Sequence, residues 1–418
     1  MVQRCKGFRD LSPEEMIRFR FIEQVSRDCC LKWGCLEVKT PTLEYLHLFT
    51  STGTLTPGML GKAYSFLDWD GWSGQRVVLR PDGTIPVARF YIDNMVEKGL
   101  AKLFYVTNIF RFEETGKEAR ERWQGGVELI GVNSPLADVE LIIMALGVLT
   151  SIGIKDVELR LSHAGLIRGL LSKLGLSPQE QARIFDQILD GDTEALARIK
   201  SEKPKLGKAL TSLLGLKGKS SGILKNLKAL FNHSLPELEP HIDNFINIVD
   251  LLETAGYRYQ IDITSGRGFE YYTGIISQLF VGAEKVGGGG RYDALIPLMG
   301  GGDIPASGFA LYFDSLMDLV KPAMLSRPLT QRILIKAEPE VVRHGFDIAR
   351  HLHEAGYVAE LQLEGQEPAD LRWILEVRSK APLFVLTDRL KHKTFGIKTA
   401  SEVLKLLGEG DADKDSIA

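Results

Sequence analysis

The chain has 418 residues, 44% hydrophobic and 25% charged, which is the composition of an ordinary globular protein of roughly two to three domains. Its 51 basic and 54 acidic side chains give a formal net charge of −3, so there is no overall positive field to hold nucleic acid. The charged N-terminal segment lacks the apolar stretch of a secretory signal, and the longest uncharged apolar run, Leu141 to Ile154, is too short to cross a bilayer. We therefore expect a cytoplasmic protein with no membrane contact, and nucleic acid is not an expected partner.

Metal and cofactor chemistry is not indicated by the motifs. The sequence contains no Walker-type phosphate loop, no nucleophile elbow and no His-Glu-x-x-His motif. The four cysteines, Cys5, Cys29, Cys30 and Cys35, include no Cys-x-x-Cys pair, and the eight histidines are scattered. We expect no metal, no cofactor and no disulfide bond.

The first predicted element is a helix that begins at Pro13. Ser12 is placed to cap this helix, Glu15 completes a capping box, and apolar side chains then recur at helical spacing. Short β-rich segments separated by turns follow between residues 37 and 142, and a second helix is predicted from Asp138 to Gly153. This pattern predicts a mixed, largely antiparallel sheet flanked by helices.

The middle of the chain is predicted to be a block of helices. Residues 164–256 have little strand propensity and break near prolines, and they carry a locally basic piece from Lys200 to Lys228. Strand-like sequence precedes and follows this block. Further along, Val286–Asp293 is expected to form a glycine-rich turn, and Gly308–Val320 a helix.

The C-terminal part is predicted to alternate strand, helix, strand, helix and strand, with the second helix at Ala369–Ser379 and a parallel sheet. The segment after Asp388 is expected to run almost directly into a final helix. The predicted domains are a sheet domain (1–160 and 257–322), an inserted helical domain (164–256) and a small α/β domain (329–410).

Polar residues interrupt several otherwise apolar, strand-like stretches. These stretches are Leu79–Thr84, Phe110–Glu113 with Gln124–Glu128, Arg267–Tyr272, and Gly287–Asp293. Carboxylates can receive the ammonium of a zwitterion, arginines can bind its carboxylate or a phosphate, and consecutive glycines let backbone approach a ligand. The alternative for each stretch alone is structural: a cross-strand ion pair or a flexible turn.

In combination and order, these motifs resemble histidyl-tRNA synthetases and their relatives, a branch of the class II aminoacyl-tRNA synthetases. The resemblance covers about residues 5–320 and rests on the family's opening, its dimer-forming first motif, its ATP-holding second motif and its two histidine motifs. In this chain they are Gly7–Pro13, Pro41, Phe110–Glu113, Arg267–Tyr272 and Gly289–Asp293. The resemblance implies an α+β fold: a class II antiparallel sheet flanked by helices, a helical insertion and a small C-terminal α/β domain of the anticodon-binding type, here degenerate.

The resemblance also implies a pocket for histidine. The residues assigned to the ligand's ammonium are Asp82, Thr84 and Gln124; those assigned to its carboxylate are Arg111 and Arg267; and those assigned to its imidazole are Glu128 and Tyr272, with Tyr271 beside them. The chemistry is coherent, because an imidazole N–H can donate to a buried carboxylate and an ammonium needs acceptors. The structural alternatives are that Arg267 pairs with Glu270 and that the acids brace the sheet.

Departures from the synthetase pattern separate two functional classes within the family. In synthetases the third motif ends in an acid followed by an arginine that grips the ATP phosphates, whereas here Asp314 is followed by Ser315. A hydroxyl cannot replace the charge-assisted hydrogen bonds of a guanidinium. The second-motif loop places Glu118 near a phosphate-facing position, with Arg120 as a possible compensation, and Asp82 stands where synthetases typically have Glu.

These departures favour the non-catalytic class, the regulatory subunits of ATP phosphoribosyltransferase. Such a protein is not an enzyme itself: it would bind histidine as an effector, form a homodimer core and act on a short-form catalytic subunit in a hetero-octamer, controlling the first step of histidine biosynthesis. The alternatives are an active histidyl-tRNA synthetase, against which Ser315 argues, and a synthetase-like RNA-binding module. The net charge argues against the RNA-binding module, whereas the basic piece from Lys200 to Lys228 favours it.

Overall fold

The computed structural model describes residues 3–51, 63–69, 74–112, 119–190, 192–231, 234–266, 271–321, 325, 332–363 and 371–412. The chain divides into two compact units, residues 1–325 and residues 326–418. Within the described ranges, no helix combines the length and the apolar character needed to cross a membrane.

The strands of the first unit are β1 Leu36–Glu37, β2 Leu43–Tyr45, β3 Ser65–Trp69, β4 Gly74–Leu79, β5 Ala101–Phe110, β6 Glu121–Ile130, β7 Glu158–His163, β8 Lys217–Gly218, β9 Gln260–Asp262, β10 Ile275–Val281, β11 Glu284–Arg291 and β12 Ala306–Tyr312. Within the described residues they form a nine-stranded sheet, in the order β1-β5-β6-β12-β11-β10-β7-β9-β8, and a three-stranded sheet, in the order β2-β4-β3. The central pairs are antiparallel, whereas β1 with β5 and β7 with β9 are parallel.

Helices flank the large sheet and fill the insertion. They are α1 Pro13–Lys32, α2 Leu46–Ser51, α3 Thr84–Asn94, α4 Pro135–Ser151, α5 Ala164–Leu171, α6 Pro178–Leu189, α7 Thr193–Glu202, α8 Pro204–Leu214, α9 Gly222–Phe231, α10 Glu239–Thr254, α11 Leu295–Leu298 and α12 Phe313–Leu319. The predicted capping box of α1 is confirmed, because the Ser12 hydroxyl accepts from Glu15 N and the Glu15 carboxylate accepts from Ser12 N. The predicted α+β class with a class II-type sheet is confirmed.

Strand alternation gives the large sheet two different faces. In β5, Phe104 packs into a core shared with α1, α4 and the insertion, whereas Leu103 and Tyr105 pack into a second core with α3. In β6, Val127 belongs to the first core, so its neighbour Glu128 faces the second. The candidate ligand-binding residues therefore lie on the face that carries α3.

Two expectations about the first unit are wrong. The glycine-rich segment at residues 287–290 is not a turn but the strand β11, between β10 and β12. A Cβ at Gly289 would overlap the Gly308 carbonyl, so glycine permits a close approach of strands that sequence propensity does not favour. The predicted helix Gly308–Val320 begins late, because Ala306–Tyr312 is a strand and only Phe313–Leu319 is helical.

The elements of the second unit are β13 Arg332–Ala337, α13 Val342–Glu354, β14 Val358–Leu361, β15 Trp373–Val377, β16 Phe384–Asp388, β17 Lys393–Ile397 and α14 Ala400–Ala412. In the part of this unit that the structure describes, the strands form a five-stranded mixed sheet in the order β14-β13-β15-β16-β17. The first three strands pair in parallel, whereas β16 is antiparallel to both β15 and β17.

The second unit corrects three further expectations. The predicted helix Ala369–Ser379 is wrong in its described part, because Trp373–Val377 is a strand whose apolar run is buried. The sheet is mixed rather than parallel. The segment after Asp388 does not run directly into the final helix, because it first forms an additional strand, Lys393–Ile397. A short apolar run suits a helix or a buried strand equally, which explains the first error.

Candidate functional site

The candidate site lies where one face of β5 and β6 meets the turn between β4 and α3. The antiparallel register places Leu103 opposite Glu128 and Thr107 opposite Gln124. Side chains alternate between the two faces of a strand, so Gln124 and Glu128, four residues apart on β6, both lie on the face that carries α3. Asp82 and Thr84 are at the start of α3. The tyrosines at 271, 272 and 292 reach the site from the ends of β10 and β11.

Glu128 is the centre of a buried hydrogen-bond network. Its side chain is 2% exposed; Tyr105 OH donates to Oε1 at 3.2 Å, and Tyr292 OH donates to Oε2. Gln124 Nε2 donates to Tyr105 OH at 3.1 Å, which orients that hydroxyl. Burial raises the pKa of Glu128 to about 8, although hydrogen bonds from Tyr292, Thr84 and Tyr105 oppose the shift.

Asp82 supplies a second desolvated carboxylate. Its Oδ1 accepts from Ile85 N at 2.9 Å, in the first turn of α3. Burial raises the pKa of Asp82, against the opposing effects of that hydrogen bond and of the Arg111 charge. The negative charge of Asp82 in turn raises the pKa of Glu128. The pocket thus holds two carboxylates in a weakly solvated environment, which favours a ligand that brings hydrogen-bond donors and positive charge.

Three tyrosines form an aromatic wall beside these acids. The Tyr271 ring lies 5.1 Å from Tyr272, edge to face, and 5.4 Å from Tyr292. The Tyr271 hydroxyl is buried and has no hydrogen-bond partner among the described residues. Glycines make room for the wall: a Cβ at Gly290 would lie 2.9 Å from the Tyr272 ring, and one at Gly308 would overlap the Glu128 carboxylate. A buried hydroxyl without a partner is costly, so it points to a site where a ligand completes the bonding.

Six of the eight predicted site residues are gathered here, namely Asp82, Thr84, Gln124, Glu128, Tyr271 and Tyr272. Arg111 lies alongside, with its Nε donating to the Pro81 carbonyl at 2.9 Å. The eighth, Arg267, lies outside the described residues, as does Glu270.

Sequence reasoning missed two participants. Tyr105 was not singled out, although strand alternation from Leu103 would have placed it on the same face. Tyr292 belongs to the Gly289–Asp293 motif, to which the resemblance assigns no contact from this side chain. Its neighbour Arg291 points away from the ligand network and forms a buried ion pair with Asp138 at 2.8 Å, which joins β11 to α4.

The end of the third motif forms a separate group, called here the motif-three corner: Arg9, Asp314, Ser315 and Glu284. Arg9 Nη2 donates to Asp314 Oδ1 at 2.8 Å, and Trp123 N donates to Asp314 Oδ2 at 2.6 Å. Ser315 Oγ donates to Glu284 Oε1 at 2.7 Å. The acid and the serine that stand in place of the acid–arginine pair are therefore both bonded within the protein.

Arg120, the residue expected as a possible compensation, also has internal contacts. Its guanidinium lies 4.0 Å from the centre of the Phe112 ring, and its Nη1 donates to the Lys6 carbonyl at 3.2 Å. Glu118 lies outside the described residues. Among the described side chains, no group of three or more His, Cys, Asp or Glu is arranged to hold a metal ion.

Residues 7–316 match the family model described as histidyl-tRNA synthetase. The chain belongs to the histidyl-tRNA synthetase family. A protein of Dehalococcoides mccartyi named ATP phosphoribosyltransferase regulatory subunit is 52% identical over 413 residues, which is 99% of this chain and 100% of that protein. The histidine–tRNA ligase of Methanocaldococcus jannaschii is 34% identical over 379 residues, covering 88% of this chain and 87% of the ligase.

Solved structures place the chain in the same family fold. A Bacillus halodurans protein described as an ATP phosphoribosyltransferase regulatory subunit/histidyl-tRNA synthetase superimposes with a TM-score of 0.75 at 25% identity, covering 88% of this chain and 95% of that one. Histidyl-tRNA synthetase from Nostoc also gives 0.75, at 18% identity, over 98% of this chain and 99% of that one. The relatives at 51–52% identity bear the regulatory-subunit name and those at 34–36% the ligase name, in agreement with the predicted non-catalytic role.

Proposed function

We propose that this protein is the regulatory subunit of ATP phosphoribosyltransferase, which binds histidine and controls a separate short-form catalytic subunit at the first step of histidine biosynthesis. The observation that carries the proposal is the full-length likeness to proteins of that name, at 52% identity over 99% of the chain. The internally bonded Asp314 and Ser315 support a chain that does not activate amino acids with ATP.

Histidine is the proposed effector because its groups match what the pocket lacks. The α-ammonium needs acceptors, and Asp82 offers a desolvated carboxylate at the start of α3. The imidazole can donate to Glu128 and can accept from Tyr272 or from the Tyr271 hydroxyl, for which the described part of the chain offers no partner. Arg111, with Arg267, would meet the ligand's carboxylate.

A homodimer is the proposed core of the assembly. Pro41 lies in the sequence between β1 and β2, and large apolar side chains between 43% and 69% exposed lie on β1, β2 and β3: Leu36, Leu43, Tyr45, Phe66, Leu67 and Trp69. A surface of this kind is expected to be covered by a partner. We expect a dimeric mass by light scattering for the protein alone, and a hetero-octamer when the catalytic subunit is added. A monomeric mass at micromolar concentration would contradict the dimer.

The decisive experiment is reconstitution with a short-form ATP phosphoribosyltransferase. The two proteins are expected to co-elute in size-exclusion chromatography, and histidine is expected to change the transferase rate of the complex but not that of the catalytic subunit alone. Asp82→Ala should preserve co-elution and shift the histidine response to higher concentration. Failure of the two proteins to associate, or a response unaltered by this subunit, would refute the proposal.

A further inference from the structure

The first helix of the insertion is bonded directly to the segment that carries two of the pocket tyrosines. Arg168, on α5, donates from Nη2 to the carbonyl oxygen of Tyr272 at 2.5 Å. At the start of the same helix, Ala164 N donates to the Gly274 carbonyl at 2.8 Å. A guanidinium bond in a half-buried position is stronger than a neutral hydrogen bond, so it can hold the tyrosine segment in place.

The sheet holds the same segment from its other side. Thr273 N donates to the Arg291 carbonyl at 2.7 Å, and Asp293 N donates to Thr273 Oγ1 at 2.9 Å. Arg291 is itself fixed by its buried ion pair with Asp138. Residues 271–274 therefore lie between the sheet and α5, and the bonds from Arg168 and from Ala164 hold them on the side of the insertion.

Arg168 also lies where the first and last helices of the insertion meet. The His241 ring of α10 packs so closely on Gly165 of α5 that a Cβ at that glycine would overlap it. Burial and the charge of Arg168 lower the pKa of His241. The ring of His163, immediately before α5, lies 5.5 Å from His241. A displacement of Arg168 would therefore change the surroundings of both α5 and α10.

From this arrangement, and resting on the proposed function, we infer that Arg168 is a positioning residue for the histidine pocket that couples its occupancy to the helical insertion. Histidine held against Tyr271 and Tyr272 stabilises one position of residues 271–274. Because Arg168 holds the same segment, α5 shares that stabilisation. Thermodynamic linkage makes the coupling reciprocal, so loosening Arg168 weakens histidine binding.

Calorimetric titration of full-length variants tests the coupling. Arg168→Met keeps much of the side-chain length but removes the donors, and we expect roughly 5- to 30-fold weaker histidine binding, less than for loss of a direct charged hydrogen bond. Arg168→Lys, which keeps one charged donor, should recover a substantial part of that affinity. Arg183→Met, on the exposed surface of α6, removes an arginine of the same insertion and should bind histidine as the wild type does.

Hydrogen exchange on the wild type supplies a readout that a purely structural role would not change. Histidine should slow exchange in α5 as well as in residues 271–275, and in Arg168→Met the slowing of α5 should be lost. Protection confined to 271–275 in the wild type would overturn the coupling, as would an Arg168→Met protein with wild-type histidine affinity. If Arg168→Met does not fold, Arg168→Lys and the wild-type exchange pattern decide. Absence of histidine binding by the wild type would instead refute the proposed function, and this inference with it.

Discussion

The pocket around Glu128 and the motif-three corner lie in the same unit but differ in how their polar groups are satisfied. In the pocket, two desolvated carboxylates lie beside the Tyr271 hydroxyl, which has no hydrogen-bond partner among the described residues, and Arg111 is the neighbouring cation. In the motif-three corner, Asp314 is bonded to Arg9 and to a backbone N–H, and Ser315 is bonded to Glu284. Under the proposed function a ligand completes the first region, whereas the polar groups of the second are bonded within the protein.

The difference separates what ligand binding requires from what catalysis requires. An effector site needs only binding energy, and unsatisfied buried groups provide it when the right ligand arrives. Catalysis with ATP needs donors aimed at developing phosphate charge, and these cannot be shared with internal partners. Breaking each region separately should therefore have different consequences.

The largest expected effect concerns ATP chemistry. We expect no histidine-dependent exchange of pyrophosphate into ATP, because loss of one transition-state donor alone costs about 10²- to 10³-fold in rate. Ser315→Arg should not restore exchange, since Arg9 still occupies Asp314. The measurement is the exchange assay on protein free of host synthetase. Robust exchange by the wild type would invalidate the contrast between the two regions.

The second effect concerns the ammonium site. Asp82→Ala should weaken histidine binding about 10- to 150-fold, because it removes an acceptor for a charged group at a cost of about 1.5–3 kcal/mol. Asp388→Ala is the matched control: Asp388 is a buried acid in the second unit that accepts backbone N–H bonds as Asp82 does, and its loss should lower the melting temperature only. Ser315→Ala should also leave histidine affinity unchanged. A folded Asp82→Ala protein with unaltered affinity would show that the pocket is misassigned.

Part of this architecture could be predicted from the sequence. Capping residues identify α1, and alternating strands predict the sheet that places Gln124 and Glu128 on one face. The glycines of β11 could not be assigned in the same way, because their role is to avoid overlap with neighbouring strands such as β12, a property of the assembled sheet. The Arg291–Asp138 ion pair joins positions far apart in the chain, so no local sequence pattern predicts it.

The third effect is a dependence of stability on pH. Glu128 titrates near 4.5 when unfolded and at about 8 when folded, so the folded protein binds more protons between these values and stability falls as pH rises through that window. For the wild type this decline in the free energy of unfolding is at most about 1.4 kcal/mol per pH unit. Glu128→Gln removes the titrating group, so the variant should become increasingly stable relative to the wild type as pH rises from 5 to 8. It should also blur discrimination between histidine and amino acids of similar size.

Thermal melts of the two proteins across pH 5–8, with Ser315→Ala as the control, measure this difference. His163 makes stability depend on pH in the opposite direction. Burial and the charge of His241 lower the pKa of His163 to about 3, so its contribution to stability is lost as pH falls from 6.5 towards 3. His163 is present in both proteins, so its contribution cancels in the comparison. Parallel stability curves for wild type and Glu128→Gln would mean that Glu128 is not a desolvated acid.

The smallest effect is the most diagnostic, because its two parts have opposite signs. Tyr271→Phe removes a buried hydroxyl that has no partner among the described residues, so the empty protein should melt at a higher temperature. The same change should weaken histidine binding about 2- to 12-fold, the value of one neutral hydrogen bond of about 0.5–1.5 kcal/mol.

The matched control is Tyr259→Phe. Tyr259 OH already donates to Glu253 Oε1 at 2.5 Å, so its removal should lower the melting temperature and leave histidine affinity unchanged. Thermal melts without ligand and calorimetric titrations of both variants distinguish a hydroxyl that binds the ligand from one that stabilises the fold. If Tyr271→Phe lost stability and kept its affinity, Tyr271 would be a structural residue like Tyr259, and the aromatic wall would have to be assigned to the core.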